Sequence, residues 1–128
     1  MLKDTPVFSS YSVDDLGKAK EFYEETLGLD VKEDKEMQIL NLDLKGGEVM
    51  VYPKGEGHKA ANFTVLNFVV ENIEHVVDQL SEKGVELEQY DNEYVKTDEK
   101  GISRMPEGPS MAWFKDPAGN ILGILQEK

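Results

Sequence analysis

The chain is 128 residues long, has no cysteine, and carries 26 acidic against 14 basic side chains, a formal net charge of −12. That length suits one domain with a real core, while the missing cysteine removes disulfides, thiolate metal sites and cysteine nucleophiles together. Nucleic acid and anionic membranes would be repelled by such a surface, no apolar run is long enough to span a bilayer, and Met1 to Pro6 lacks the apolar core of a signal peptide; the expectation is a soluble cytoplasmic protein.

Val7 to Val13 reads as a strand, with Val7, Ser9, Tyr11 and Val13 on one face and Phe8, Ser10 and Ser12 on the other. Asp14 and Asp15 offer an N-cap. Leu16, Ala19, Phe22, Tyr23 and Leu27 then fall at helical spacing through Thr26, and Gly28 stops the helix. Leu29 to Glu33 reads as a short strand and Met37 to Leu44 as an apolar one. Gly46-Gly47 turns the latter into Glu48-Val49-Met50-Val51-Tyr52. The first half is therefore β-α-β-β-β.

Residues 54–61 are polar, glycine-rich and without period, which marks a linker. After it the pattern begins again. Phe63 to Val70 is a strand, Asn72 caps a helix whose apolar stripe is Ile73, Val76, Val77 and Leu80, and Gly84 ends it as Gly28 ended the first; Val85 to Tyr90 reads as the next strand. Val13-Asp14-Asp15-Leu16 aligns with Val70-Glu71-Asn72-Ile73, so the chain is an internal repeat of two such modules.

Between Asp91 and Gly108 the second half carries a long polar segment with one short strand around Gly101 to Met105. Such a segment inside a compact domain is mobile or functional, and a lid is one reading of it. It holds Arg104, the only arginine in the chain, read either as a solvated loop charge or as the partner of a ligand carboxylate or phosphate. The chain closes on a hairpin, Trp113 to Gln126, turned by Asp116-Pro117-Ala118-Gly119-Asn120.

A strand ending in Val13-Asp14-Asp15-Leu16, a helix with Phe22-Tyr23, Leu27-Gly28-Leu29, the repeat after Ala61 and the closing Phe114-Lys115-Asp116-Pro117-Ala118-Gly119-Asn120 together resemble the vicinal oxygen chelate superfamily, which contains glyoxalase I, the bleomycin-resistance proteins and the extradiol dioxygenases. The resemblance covers the chain from about Thr5 to Gln126 and implies an α+β fold. Its two β-α-β-β-β modules, residues 5–53 and 62–126 within a single domain 1–128, would form a curled open barrel around a cavity. It also implies a homodimer.

The enzymes of that superfamily hold a divalent metal through His and Glu at four strand positions. Carried onto this chain, the resemblance implies that those positions are Phe8, Val65, Met50 and Gly123. None offers the carboxylate oxygen or imidazole nitrogen a divalent metal needs. No metal or other cofactor is expected. Glu48 shares a strand face with Met50 but is one carboxylate alone, His75 lies outside the stripe of its helix, and His58 sits in the linker. Ser9, Ser10 and Ser12 have no placed base.

The same cavity is expected to be lined by Ser10, Ser12, Asn67, Glu48 and Tyr52 beside the four replaced positions, with Trp113 and Met111 sharing one face of the penultimate strand. It either stays open as a small-molecule pocket or fills with side chains as core. The reading that follows is a metal-free small-molecule binding protein similar to the bleomycin-resistance branch, sequestering an aromatic or cationic compound. Two alternatives remain. One is a glyoxalase-like lyase or isomerase, using a metal at shifted positions or acid–base chemistry through Glu48 or Tyr52; the other is an interaction module without a ligand.

Overall fold

The computed structural model describes all of residues 1–128 and divides the chain into two units, Met1–Lys59 and Ala60–Lys128. Each unit is one four-stranded mixed sheet with a helix against one face.

In the first unit the strands are β1 (Ser9–Val13), β2 (Asp30–Asp34), β3 (Ile39–Leu44) and β4 (Gly47–Pro53), in the spatial order β1-β4-β3-β2. β1 runs parallel to β4, and the other pairs are antiparallel. A parallel neighbour needs a crossover, and the intervening helix and hairpin supply it. The helix α1 (Leu16–Glu21) is capped by Asp15, whose carboxylate accepts from the Lys18 amide at 3.1 Å. It runs on into a π-helical turn, Phe22–Thr26, closed by the Leu27 amide donating to the Phe22 carbonyl at 2.9 Å. Gly28, at φ +70, then turns the chain away; its lack of a Cβ makes that conformation accessible. Alternation in the strands puts Tyr11, Val13, Leu40, Leu42, Val49 and Val51 on the buried face, with Ala19 and Tyr23 of the helical segment also in the core. A polar contact within that core joins two phenols, Tyr11 Oη donating to Tyr23 Oη at 2.7 Å.

The second unit repeats the plan with β5 (Thr64–Val69), α2 (Ile73–Glu82), β6 (Ile102–Arg104), β7 (Ser110–Lys115) and β8 (Ile121–Gln126), in the order β5-β8-β7-β6. Asn72 caps α2 by accepting from the His75 amide at 3.1 Å, and Ile73, Val77 and Leu80 are the buried stripe. The Ile73 amide, an unsatisfied donor of the first turn, is taken up by Gln126 Oε1 of β8 at 2.8 Å. Ile102, Ala112, Phe114, Leu122 and Ile124 complete the core.

One predicted strand is not formed. Val85 to Tyr90 has the alternation of a strand, but only Leu87 bridges the sheet, opposite Phe114, with the Glu88 amide donating to the Trp113 carbonyl at 2.7 Å. The reason lies in the partner. The free edge of β7 is already paired with β6 from Ser110 to Ala112, and one edge accepts one neighbour at a time. The short strand expected around Gly101 to Met105 is the one that takes it.

Candidate functional site

In the first unit the face away from α1 is built by register. Lys32, Asn41, Met50 and Ser10 lie side by side across all four strands, and Ser12 stands beside Tyr52. Asp30, Asp43 and Glu48 form a second row. Met50, Tyr52 and Ser12 are half-buried, while Ser10 and Glu48 are exposed. Phe8 precedes β1 and is 65% exposed. Ser12 also has a base beside it. His58, expected to be a bystander in the linker, places Nδ1 2.8 Å from Ser12 Oγ. A 3-10 turn, Gly55–Gly57, makes this possible by bending the chain back, with the Lys54 amide donating to the Val13 carbonyl at 2.8 Å. The contact spans 46 positions in the chain, so no local pattern announces it.

In the second unit the corresponding face carries Met111 and Trp113 on β7, Ile121, Gly123 and Leu125 on β8, and Asn67 and Val69 on β5. Trp113, Gly123 and Asn67 form one row across three strands. Val65 behaves differently from the sequence expectation. Thr64 pairs with Ile121 but Leu66 with Leu122, so Val65 is the extra residue of a bulge that breaks the alternation. The side chains that flank Gly123 are Thr64 and Asn67. An added Cβ at position 123 would meet Asn67 Oδ1 at 2.5 Å and Thr64 Cγ2 at 3.1 Å.

Trp113 is half-buried and meets Tyr90 edge to face, ring centroids 5.5 Å apart at 73°. Burial, reinforced by the Glu88 carboxylate and opposed by the Lys115 ammonium, pushes the Tyr90 phenol above its ordinary value, so it stays a neutral donor. Glu88 and Lys115 themselves pair at 3.4 Å.

Arg104 lies elsewhere. It follows Ser103, which shares a register pair with Met111, so alternation sends Arg104 toward the helix side of the sheet. There its guanidinium donates to Glu74 of α2 at 2.5 Å and to Asp98 at 3.4 Å. Strand parity thus puts Arg104 on the opposite side of the sheet from Trp113, paired with these carboxylates. The long polar segment is held by its own turns and by α2. Asn92 accepts from the Tyr94 and Val95 amides at 2.8 and 2.9 Å, and Asp98 from the Lys100 and Ile102 amides at 2.9 Å each, making two side-chain-closed turns. Lys100 pairs with Asp78 at 3.1 Å and so ties the segment to α2 a second time.

Burial works against the Asp98 charge, but the Ile102 and Lys100 amides and the Arg104 guanidinium outweigh it and hold the carboxyl below its ordinary value. A carboxyl depressed in this way contributes stability that is present above its unfolded value and lost as pH falls through the folded one. Asp98→Asn is therefore expected to lower Tm at neutral pH and to converge with the parent chain as the pH drops through the acid carboxylate range. Melting curves across that range check it, and a gap that stays constant down to acid pH would contradict the assignment.

The residues at the four inferred ligand positions do not fit a metal. Phe8, Met50, Val65 and Gly123 carry no hard donor, and no group of three or more His, Asp or Glu side chains is arranged to hold an ion. His75 is exposed on α2 and His58 is engaged by Ser12. No helix is long and apolar enough to cross a membrane.

Several solved structures share this fold along nearly the whole chain. TnmS3, an antibiotic binding protein from Streptomyces sp. CB03234, is 24% identical with TM-score 0.70, covering 100% of this chain and 99% of that one. Lactoylglutathione lyase from Agrobacterium tumefaciens is 15% identical with TM-score 0.70, covering 98% and 96%. The fosfomycin resistance protein FosX from Listeria monocytogenes is 10% identical with TM-score 0.72, covering 98% and 94%. No curated protein matches the sequence. The model of the Glyoxalase/Bleomycin resistance protein/Dioxygenase superfamily matches residues 7–124, nearly the full repeat described above, and the chain belongs to that superfamily.

Proposed function

We propose that this chain is a metal-free small-molecule binding protein that sequesters an aromatic or cationic compound in the cytoplasm. The observation that carries the reading is the row Trp113, Gly123, Asn67, where a glycine flanked by an aromatic and an amide stands at a position that the resemblance gives to a metal ligand. In the first unit Ser10, Ser12, Glu48, Met50 and Tyr52 offer a second such face, with Phe8 at its margin and the acidic row Asp30, Asp43, Glu48 favouring cations. An apolar lining with a few placed polar groups is the composition of small-organic-ligand sites. Among the structural neighbours, TnmS3 is described as antibiotic binding and FosX as a resistance protein.

A homodimer accompanies the proposal. Phe8 and Phe63 lead into the edge strands β1 and β5 and are 65% and 64% exposed, and Val69 on β5 is 67% exposed. Apolar residues at an unpaired edge favour a partner. Light scattering on the purified chain tests this, with a monomeric mass at micromolar concentration as the contrary result.

The binding proposal is tested by thermal shift of the purified chain against a broad panel of aromatic and cationic compounds and against Ni²⁺, Zn²⁺, Mn²⁺ and Fe²⁺. The expected outcome is a saturable rise in Tm with members of the panel and none with the ions, because whatever binds the folded state stabilises it. Silence across the panel sinks the proposal. A shift with an ion favours the enzyme reading at displaced ligands.

One observation supports a second reading, a lyase or isomerase working by acid–base chemistry without a metal. Ser12 Oγ and His58 Nδ1 are within hydrogen-bond reach beside Tyr52, with Glu48 on the same face. Turnover of a hemithioacetal that is abolished in His58→Ala would establish it.

A further inference from the structure

We infer that Ser12 is an acyl-accepting nucleophile with His58 as its general base, and that the face of the first sheet away from α1 cleaves neutral aryl esters of short acids. The inference rests on the Ser12–His58 contact. It needs neither the sequestration of a ligand nor isomerase chemistry, because its product is a covalent ester on the protein.

A serine hydroxyl is a weak nucleophile until a base stands ready to take its proton. Ser12 Oγ lies 2.8 Å from His58 Nδ1, within reach for that transfer. In the tautomer that carries its proton on Nε2, the imidazole accepts from the hydroxyl at Nδ1. The three serines of β1 are not equivalent. Ser9 alternates to the opposite face from Ser12, and Ser10 shares the face of Ser12 but stands two residues, about 7 Å, along the strand.

The base is held in place by main-chain bonds. The turn that leads to it is closed by the Gly57 amide donating to the Lys54 carbonyl at 2.9 Å and by the His58 amide donating to the Gly55 carbonyl at 3.2 Å. Its near end is fastened to the residue after the nucleophile, through the Lys54 amide and the Val13 carbonyl at 2.8 Å. Gly55 makes the reversal at φ +52, where a Cβ is strained. Ser12 and His58 are both half-buried, so the pair is partly shielded from water yet open to a small reagent.

Tyr52 is the register partner of Ser12 and Met50 that of Ser10. Both are half-buried on the same face and form a strip against which an aryl group can lie. Glu48 continues that strip and disfavours an anionic ester. In the first step Ser12 Oγ bonds to the acyl carbon, the bond from that carbon to the aryl oxygen breaks, and its electron pair leaves with the phenolate. The hydroxyl proton passes to His58 Nδ1 and then to solvent. In the second step water adds to the acyl carbon, Nδ1 takes its proton and returns it to Ser12 Oγ, and the acid departs. A serine oxygen leaves less readily than a phenolate, so the second step is the slower one and the acyl form accumulates.

The purified chain is mixed with p-nitrophenyl acetate, p-nitrophenolate release is followed by absorbance, and the acetylated residue is located by mass spectrometry of the intact chain and its peptides. The expected result is a burst equal to the protein concentration, with one acetyl group gained on Ser12. His58→Ala is expected to slow acetylation of Ser12 by about a hundredfold or more, the usual contribution of a positioned base. Ser12→Ala is expected to abolish the burst. Acetyl groups on Ser10, on lysines or on His58 while Ser12 stays unmodified overturn the inference, as does a burst unchanged in either variant. The parent chain by itself reports which residue is acetylated, so the outcome stands even where a variant fails to fold. Acetylated Ser12 with no thermal shift across the compound panel removes the binding reading and leaves this one; saturable binding with Ser12 unmodified does the reverse.

Discussion

Replacing Asp116 by alanine is expected to lower the unfolding free energy by about 3 kcal/mol, because several hydrogen bonds to one buried carboxylate are lost at once. Asp116 is 4% exposed, and its Oδ1 accepts from the Ala118 amide at 3.0 Å and from the Asn120 amide at 2.8 Å, while Oδ2 accepts from Asn120 Nδ2 at 3.1 Å. Asn120 in turn accepts from the Ala61 amide at 3.3 Å, so the turn reaches back to the residues just ahead of β5. An alanine would leave the buried Asn120 amide without that acceptor, and the cost is the desolvation of orphaned donors rather than the modest net worth of a bond. Denaturant unfolding measures it. The Asp116→Asn variant keeps one acceptor oxygen and is expected to lose less; a loss below about 1 kcal/mol for the alanine would show that solvent replaces the carboxylate and that the turn is not held by it.

Gly101→Ala is expected to cost a similar amount, about 2–5 kcal/mol, by a different route. Gly101 adopts φ +86, a conformation that strains any residue with a Cβ. Space is lacking as well. The added methyl would sit 2.8 Å from Leu87 Cβ and 3.1 Å from the Glu88 carbonyl oxygen, and neither atom can swing aside without moving backbone. Since Glu88 is hydrogen bonded to Trp113 through the main chain, the strain would pass into the edge of the sheet that supports the indole. Beyond the lower Tm, the fluorescence of Trp113 is expected to change in the folded variant. A variant as stable as the parent would mean that the segment 85–91 is free to shift away from β6.

The contrast between these glycines shows how the candidate site was and was not legible. Glycine at 28, 84 and 101 is a backbone requirement, and positive φ at such positions is what turn spacing announces. Glycine at 123 has no such backbone role; its meaning depends on Asn67 and Trp113 arriving from two other strands. Alternation correctly placed Trp113 with Met111 on one face of β7, but nothing in the sequence could say which face. Arg104 shows the same limit. As the only arginine, in a polar segment, it left a surface role and a ligand role open, and parity on β6 turned it to Glu74, a residue 30 positions away. The bulge at Val65 likewise shifted the expected register by one place, because alternation is counted residue by residue and one extra residue reverses it.

The β-α-β-β-β plan, its repetition, the caps at Asp15 and Asn72 and the Asp116 to Asn120 turn are all written in local chemistry, since each depends on groups within a few residues of one another. Those short-range rules sufficed to place the chain in its superfamily and to show that hard metal donors are missing from the inferred ligand positions. What local chemistry could not reach was every feature made by distant partners. The edge of β7 went to β6 and not to Val85–Tyr90, His58 came to rest on Ser12, and Asn67 leaned over Gly123. Pairing across a sheet is a competition among segments for the same edge, and its outcome is set by packing and register together, which only the folded chain resolves.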